Sequence, residues 1–475
     1  MNVSRVASLN WEAGAGQTPT AVSQNSGAAV LVSYSLPAPG VTVAGFLRQA
    51  QGRERFYWQN GRDQIAFAGF GVAAEMMGWG HGRFQEIERQ AQALFANAVV
   101  LNDLPPLAQP RLFGGFAFQH DFVPDNTWAV FHPAHFILPH YQLVQFDGAS
   151  WLTINALAPP EEDPQASLAE LHEALAARYE LLRAAENAPA APPPATAVDV
   201  TYPMSYAAWA EQIETAVARM QTTELNKIVL ARVCEARFDG RVPVDQALAH
   251  LNARFADCYR FLFEPRPGHA FWGATPELLV RANGRVLTTM GLAGSIRRGR
   301  TPQEDAALAQ ALLASPKDRY EHALVVDSIR RRLAPLVDGL RVPAAPAIYP
   351  LSNIQHLYTP IDGRLRGAPG VLPLVELLHP TPALGGQPRN LAMDFIRDAE
   401  PVPRGWYAAP IGWIDHRLDG EFGVAIRSAV SQERRAWLYA GAGIVAGSNP
   451  QSEWEETGLK FRAVLDALGV VNCEL

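Results

Sequence analysis

Cysteine is scarce in this chain: 475 residues hold three, Cys234, Cys258 and Cys473. The number is odd and no two stand at metal-ligand spacing, which excludes a disulfide framework and a zinc ribbon and suits a reducing compartment. Runs of lysine and arginine are missing, and the formal net charge is −7. Neither a nucleic-acid footprint nor a basic membrane-surface segment is present. No apolar run reaches the ~18 residues that a membrane-spanning helix needs. The first residues lack a basic stretch followed by an apolar one, so a cytoplasmic location is expected.

What remains is a chain with 48% hydrophobic residues, enough for one large core. One stretch breaks the pattern: residues 186–199 are rich in proline and alanine and exclude a helix or a central strand. This divides the sequence into an N-terminal, sheet-forming part (1–185), a surface loop (186–199) and a catalytic core (200–475). In the first part, strand-like runs lie at 29–34, 64–70, 112–118, 136–145 and 151–156, with helices at 83–95 and 167–185. The Ala-Gly repeat at 13–16 reads as a flexible loop. The core opens with a helix at 206–222 and continues with strands at 227–236 and 259–264 and a hairpin set over 269–290. Helices at 301–315 and 317–336, a strand-rich region over 405–444 and a final helix from 450 to 468 follow. Strands grouped with interspersed helices, without strict β-α-β alternation, predict an α+β fold with mostly antiparallel sheets.

Two ionisable residues interrupt apolar strands. Lys227 stands in Asn-Lys-Ile-Val-Leu-Ala-Arg, and Glu277 follows Pro276 in Gly-Ala-Thr-Pro-Glu-Leu-Leu-Val. Lys227 is either a strand-edge lysine reaching solvent or, if desolvated, a general base. Burial of Glu277 would keep it protonated as a general acid. On the final helix, Glu453, Glu456 and Lys460 share one stripe while Trp454, Phe461, Val464 or Leu465, and Leu468 share another, with Asn449 or Ser448 as cap. The polar stripe is a solvated face or, with a third acid, a site for a hard divalent cation. Glu321 is a candidate third acid near a helix start; alone, it reads equally as a carboxylate favouring the helix dipole. His322 beside it reads as a helix-face residue. Arg427, in Val-Ala-Ile-Arg-Ser, is a guanidinium within a strand run, suited to cross-strand pairing or to a bidentate carboxylate clamp. The Gly441-Ala-Gly-Ile-Val-Ala stretch fits a dinucleotide-binding pattern, but Gly447-Ser-Asn-Pro follows where a helix must open, which excludes it. Its glycines instead let backbone approach an anionic ligand.

Together, segments 226–232, 273–281, 291–298, 315–322, 377–386, 423–427, 440–445 and 453–460 resemble the chorismate-utilising enzymes. The likeness covers most of 205–470. Phe67-Ala-Gly-Phe-Gly-Val-Ala-Ala-Glu and Phe113-Gly-Gly-Phe-Ala-Phe extend it more loosely into the N-terminal part. Lysine at 227 resembles the water-using members, and Leu378-His-Pro-Thr-Pro-Ala-Leu-Gly-Gly resembles the isochorismate-forming ones. Tyr407-Ala-Ala-Pro-Ile-Gly-Trp-Ile-Asp leans toward the menaquinone branch. The resemblance implies one large α+β domain, with antiparallel sheets packed face to face, helices outside and the site in a cleft. It implies chorismate as substrate and no obligatory protein partner. It further implies Mg2+ held by Glu321 and Glu456 with Glu453 close by. Lys227 would activate a water for attack at C2, and Glu277 would protonate the departing C4 hydroxyl. Arg427 would clamp the enolpyruvyl carboxylate, and Lys460 with backbone near Gly294 and Gly441 would hold anionic oxygens. His356 would line the pocket, Ala383 and Leu384 would shape the space beside the nucleophile, and Tyr439 would contact a carboxylate. Salicylate synthases and siderophore-branch enzymes are the nearest alternatives, because they share the lysine. A non-catalytic chorismate-binding protein is a more distant one.

Overall fold

A computed structural model describes residues 29–100, 105–160, 163–186 and 194–470. The Ala-Gly repeat at 13–16, Cys473 and residues 187–193 of the Pro/Ala stretch lie outside the described residues.

The strands join in one continuous hydrogen-bonded path. Strand Ala197–Thr201, at the end of the Pro/Ala stretch, pairs with Lys227–Phe238. From there the path runs through Arg435–Ile444, Ser428–Gln432, His269–Thr275, Tyr259–Arg266, Arg55–Asn60 and Ile65–Gly78 to Ala134–Phe146. This last strand is buried over most of its length, and there the path forks. Its C-terminal half continues to Ala149–Ala158 and then Val30–Pro37. Its N-terminal half continues to Arg111–Phe116, Pro410–Asp415, Gly420–Val424, Leu278–Asn283, Val286–Arg297 and Ile354–Leu365. All of these pairs are antiparallel; Val30–Pro37 also pairs in parallel with the short Val99–Val100.

The trunk of the path and the branch through Gly420–Val424 pack face to face: a Cβ on Gly423 would lie 3.2 Å from Trp58, whose Nε1 donates to Glu421 Oε1 at 2.9 Å. Phe131 and Phe263 lie against Trp406, and Phe136 lies against Phe422. A second apolar layer, including Leu171, Leu248 and Phe461, fills the space beneath the outer helices. The described strands pair across the two parts of the sequence: Arg55–Asn60 with Tyr259–Arg266, and Arg111–Phe116 with Pro410–Asp415. In the fold Arg55 is buried between Glu264 and Asp245, each at 2.6 Å.

Helix Pro450–Ala467 follows its sequence pattern closely. Asn449 caps it by accepting from the Gln451 and Ser452 N–H groups, and Phe461, Val464, Leu465 and Leu468 are buried. Helix Pro316–Leu333 is capped by Ser315. Among the described residues no helix is long and apolar enough to cross a membrane.

Candidate functional site

Lys227 begins the strand Lys227–Phe238, and its side chain is fully buried. Two neighbours fix its backbone. On one side Gly386–Gln387 pairs with Lys227 and Ile228; a Cβ on Gly386 would lie 2.2 Å from the Lys227 carbonyl, so only glycine fits there. On the other side runs Arg435–Ile444, with Gly443 opposite Val229. A Cβ on Gly443 would fall 2.3 Å from Glu321 Oε1 and 3.1 Å from Lys227 Cε. The glycines of the Gly441-Ala-Gly stretch therefore clear room for side chains as well as for backbone approach. The Lys227 ammonium lies 2.9 Å from Glu321 Oε1. It stands off the line of a hydrogen bond, so the contact is an attraction of opposite charges.

A cleft opens beside this pair; its empty space, open mouth included, is about 620 Å³. Of the residues singled out in the sequence, Glu277, Gly294, Glu321, His356, Ala383, Leu384, Arg427, Tyr439, Gly441, Glu456 and Lys460 line it. Glu277 is buried, and among the described residues no hydrogen bond reaches its carboxyl. Burial pushes its pKa up to about 8, against the pull of Lys227 and Lys460. Glu456 takes the opposite course. Burial would raise it, but Lys460 at 2.6 Å, the Ser295 hydroxyl at 2.8 Å and the charge of Lys317 bring it down to about 2. Lys460 also donates to the Gly441 carbonyl at 2.8 Å.

Arg427 departs from the sequence expectation of a strand residue. It sits in the break between Gly420–Val424 and Ser428–Gln432, with φ of 51°. A left-handed backbone is costly for a residue with a Cβ and recurs at functional positions. Its buried guanidinium forms no ion pair among the described residues; its one side-chain hydrogen bond there is to His356 Nε2 at 3.4 Å. Because Nε2 receives from arginine, the His356 hydrogen sits on Nδ1, which donates to the Gly294 carbonyl at 3.3 Å. Burial, with Arg427 beside it, lowers His356 to about 3, so the ring is neutral. An unpaired buried cation facing a cavity is an anion-binding group.

Two of the expected site residues have other partners. Glu453 does not line the cavity; it is buried and accepts from Lys317 at 2.7 Å. The Tyr439 ring lines the wall, but its hydroxyl accepts from Trp128 Nε1 and donates to the Pro403 carbonyl, both at 2.9 Å. With its one O–H given to Pro403, the hydroxyl has no proton left to offer a carboxylate. Its stacking partner Tyr407 lines the same cavity. Burial raises the Tyr407 phenol to about 12, so it stays protonated. Tyr407, Ser295 and Gly443 were not named as site residues in the sequence, although each lies within a segment quoted for the resemblance.

The donor set fits a hard cation: Glu321 and Glu456 are carboxylates facing one cavity. Among the described residues no cluster of three or more His, Cys, Asp or Glu stands ready-made. Each acid is instead paired with a lysine: Glu321 with Lys227, Glu456 with Lys460 and Glu453 with Lys317.

Comparison with known proteins points the same way. The sequence model of the chorismate binding enzyme family matches residues 17–469. The salicylate biosynthesis isochorismate synthase of Pseudomonas aeruginosa is 41% identical over 88% of this chain and 85% of its own length. The isochorismate synthase MenF of Bacillus subtilis is 34% identical over 93% and 94%. Among solved structures, the menaquinone-specific isochorismate synthase MenF of Escherichia coli superposes with a TM-score of 0.76 at 26% identity, covering 96% of each chain.

Proposed function

The chain belongs to the chorismate binding enzyme family, and from that premise we propose that it converts chorismate to isochorismate. The observation that carries this reading is a buried, protonated Glu277 on the wall of a cavity behind which Lys227 lies against Glu321. The Lys227 amine takes a proton from a water as the water oxygen bonds to C2. The ring double bonds shift, the C4–oxygen bond breaks, and Glu277 gives its proton to the departing hydroxyl. One water enters and one leaves, so the reaction is an isomerisation. Glu277 near pH 8 is suited to proton donation at neutral pH. Arg427 holds a substrate carboxylate, and the neutral His356 orients the guanidinium. Apolar Ala383 and Leu384 restrict the space beside the attacking water.

Glu321 and Glu456, with Glu453 behind them, are the residues that would hold Mg2+. A bound magnesium ion would supply positive charge to a substrate carboxylate.

The Tyr407–Asp415 run supports the menaquinone branch. The name of the Pseudomonas relative favours a second reading, supply of isochorismate for salicylate. Incubation of the pure protein with chorismate, with and without magnesium, followed by chromatography, tests the activity. Magnesium-dependent isochorismate is expected. Salicylate and pyruvate as the main products would overturn the reading. Menaquinone and salicylate levels in a strain lacking the gene separate the two branches.

A further inference from the structure

Strand Val286–Arg297 slips by one residue where it pairs with Ile354–Leu365. Ala293 faces Leu357 and Ser295 faces His356, which leaves Gly294 as the extra residue, with φ of 74°. A bulge takes backbone groups out of the ladder, and buried carbonyls then need other donors. Here two histidines supply them: His322 Nδ1 to Ala293 O at 3.3 Å, and His356 Nδ1 to Gly294 O at 3.3 Å. The next residue, Ser295, donates to Glu456 Oε1. The bulge thus holds a carboxylate as well as the cavity wall.

His322 is buried and does not line the cavity. A carbonyl only accepts, so its hydrogen sits on Nδ1; its Nε2 then receives from the Thr359 hydroxyl at 2.7 Å. The residue before it in helix Pro316–Leu333 is Glu321, which does face the cavity. The helix lies close on the strand at Gly291, where a Cβ would meet Val326 Cγ2 at 2.7 Å.

We propose that His322 is a positioning residue: it ties the helix carrying Glu321 to the bulge carrying Gly294 and Ser295, and so sets where Glu321 stands relative to Glu456. The proposal rests on the isochorismate-forming reading, since it concerns the spacing of the two acids in that site. The critical bond is the one to the Ala293 carbonyl, because it spans from helix to bulge.

Two amide substitutions separate the two ring nitrogens. In His322→Asn the amide N–H₂ takes the place of Nδ1 and keeps the bond to Ala293. In His322→Gln the amide reaches the place of Nε2 and keeps the contact with Thr359 only. Three quantities are measured: kcat/KM for isochorismate formation, the manganese(II) dissociation constant by electron paramagnetic resonance, and the melting temperature. H322Q is expected to lose about 10- to 100-fold in kcat/KM, the effect of a small misplacement in a site, and to bind manganese more weakly. H322N is expected to retain most of both. A merely structural histidine would lower the melting temperature in both variants without separating their kinetics or manganese binding. Equal behaviour of the two variants, or the reverse order, overturns the proposal. A wild-type protein that makes no isochorismate sinks the functional reading instead, so the two failures are distinct.

Discussion

Glu277→Gln tests the site at its most unusual group. In the unfolded chain this carboxyl ionises near its ordinary 4.5, while in the fold burial holds the proton until about pH 8. The folded protein therefore binds more protons than the unfolded chain between these values, and native stability falls as pH rises through that window. Each tenfold change in ionisation is worth about 1.4 kcal/mol. The cost to the fold is near zero below pH 4.5, roughly 3 kcal/mol at pH 7 and roughly 5 kcal/mol above pH 8, where it levels off. Glutamine keeps the shape and has no such cost. E277Q should thus melt progressively higher than wild type as the buffer moves from pH 5 to pH 9, while its isochorismate formation falls by about 10²- to 10⁴-fold. Wild-type kcat/KM should decline above about pH 8 as the acid is lost. Melting curves by scanning calorimetry and product formation by chromatography read both effects. Parallel melting profiles for the two proteins, or an activity that stays flat beyond pH 9, would refute the argument that burial keeps this acid protonated for catalysis.

Lys227→Ala should cut kcat by about 10²- to 10⁴-fold while an equilibrium titration finds chorismate affinity nearly unchanged; turnover close to wild type would remove Lys227 as the base. Gly443→Ala places a methyl 2.3 Å from Glu321 Oε1, so Glu321 has to move. A loss of about 100-fold in kcat/KM is expected at a near-normal melting temperature, and full activity would show that the carboxylate's place is unimportant. Arg427→Lys keeps the charge but loses the planar fork. KM for chorismate should rise about tenfold or more, with little change in kcat; an unchanged KM would separate Arg427 from substrate binding.

Much of the fold was legible in local pattern. The final helix showed its cap, its first-turn proline and its buried stripe in the sequence, and Asn449, Pro450 and Phe461 stand where that pattern puts them. The expected helix at 317–336 ends sooner, at Leu333, because Pro335 forces the chain into a short 3₁₀ turn. Arg427 read as a strand residue because its neighbours are apolar; the break there is imposed by the surrounding sheet, which holds a φ that local preference disfavours.

The sequence by itself determined which residues were out of place. An amine or an acid in an apolar run carries a desolvation cost that is visible without coordinates, which is why Lys227 and Glu277 stood out. Local spacing also decided that Glu453, Glu456 and Lys460 share a helix stripe. Only the tertiary structure decided who partners whom. It set Lys227 against Glu321, gave Glu453 to Lys317, and turned the Tyr439 hydroxyl toward Trp128 and Pro403. It also left Arg427 without an acid among the described residues and gave each displaced carbonyl of the Gly294 bulge a histidine. The physical reason is range. Burial preference and helix period act over a few residues, whereas charge pairing and backbone satisfaction act between segments that sheet topology alone brings together.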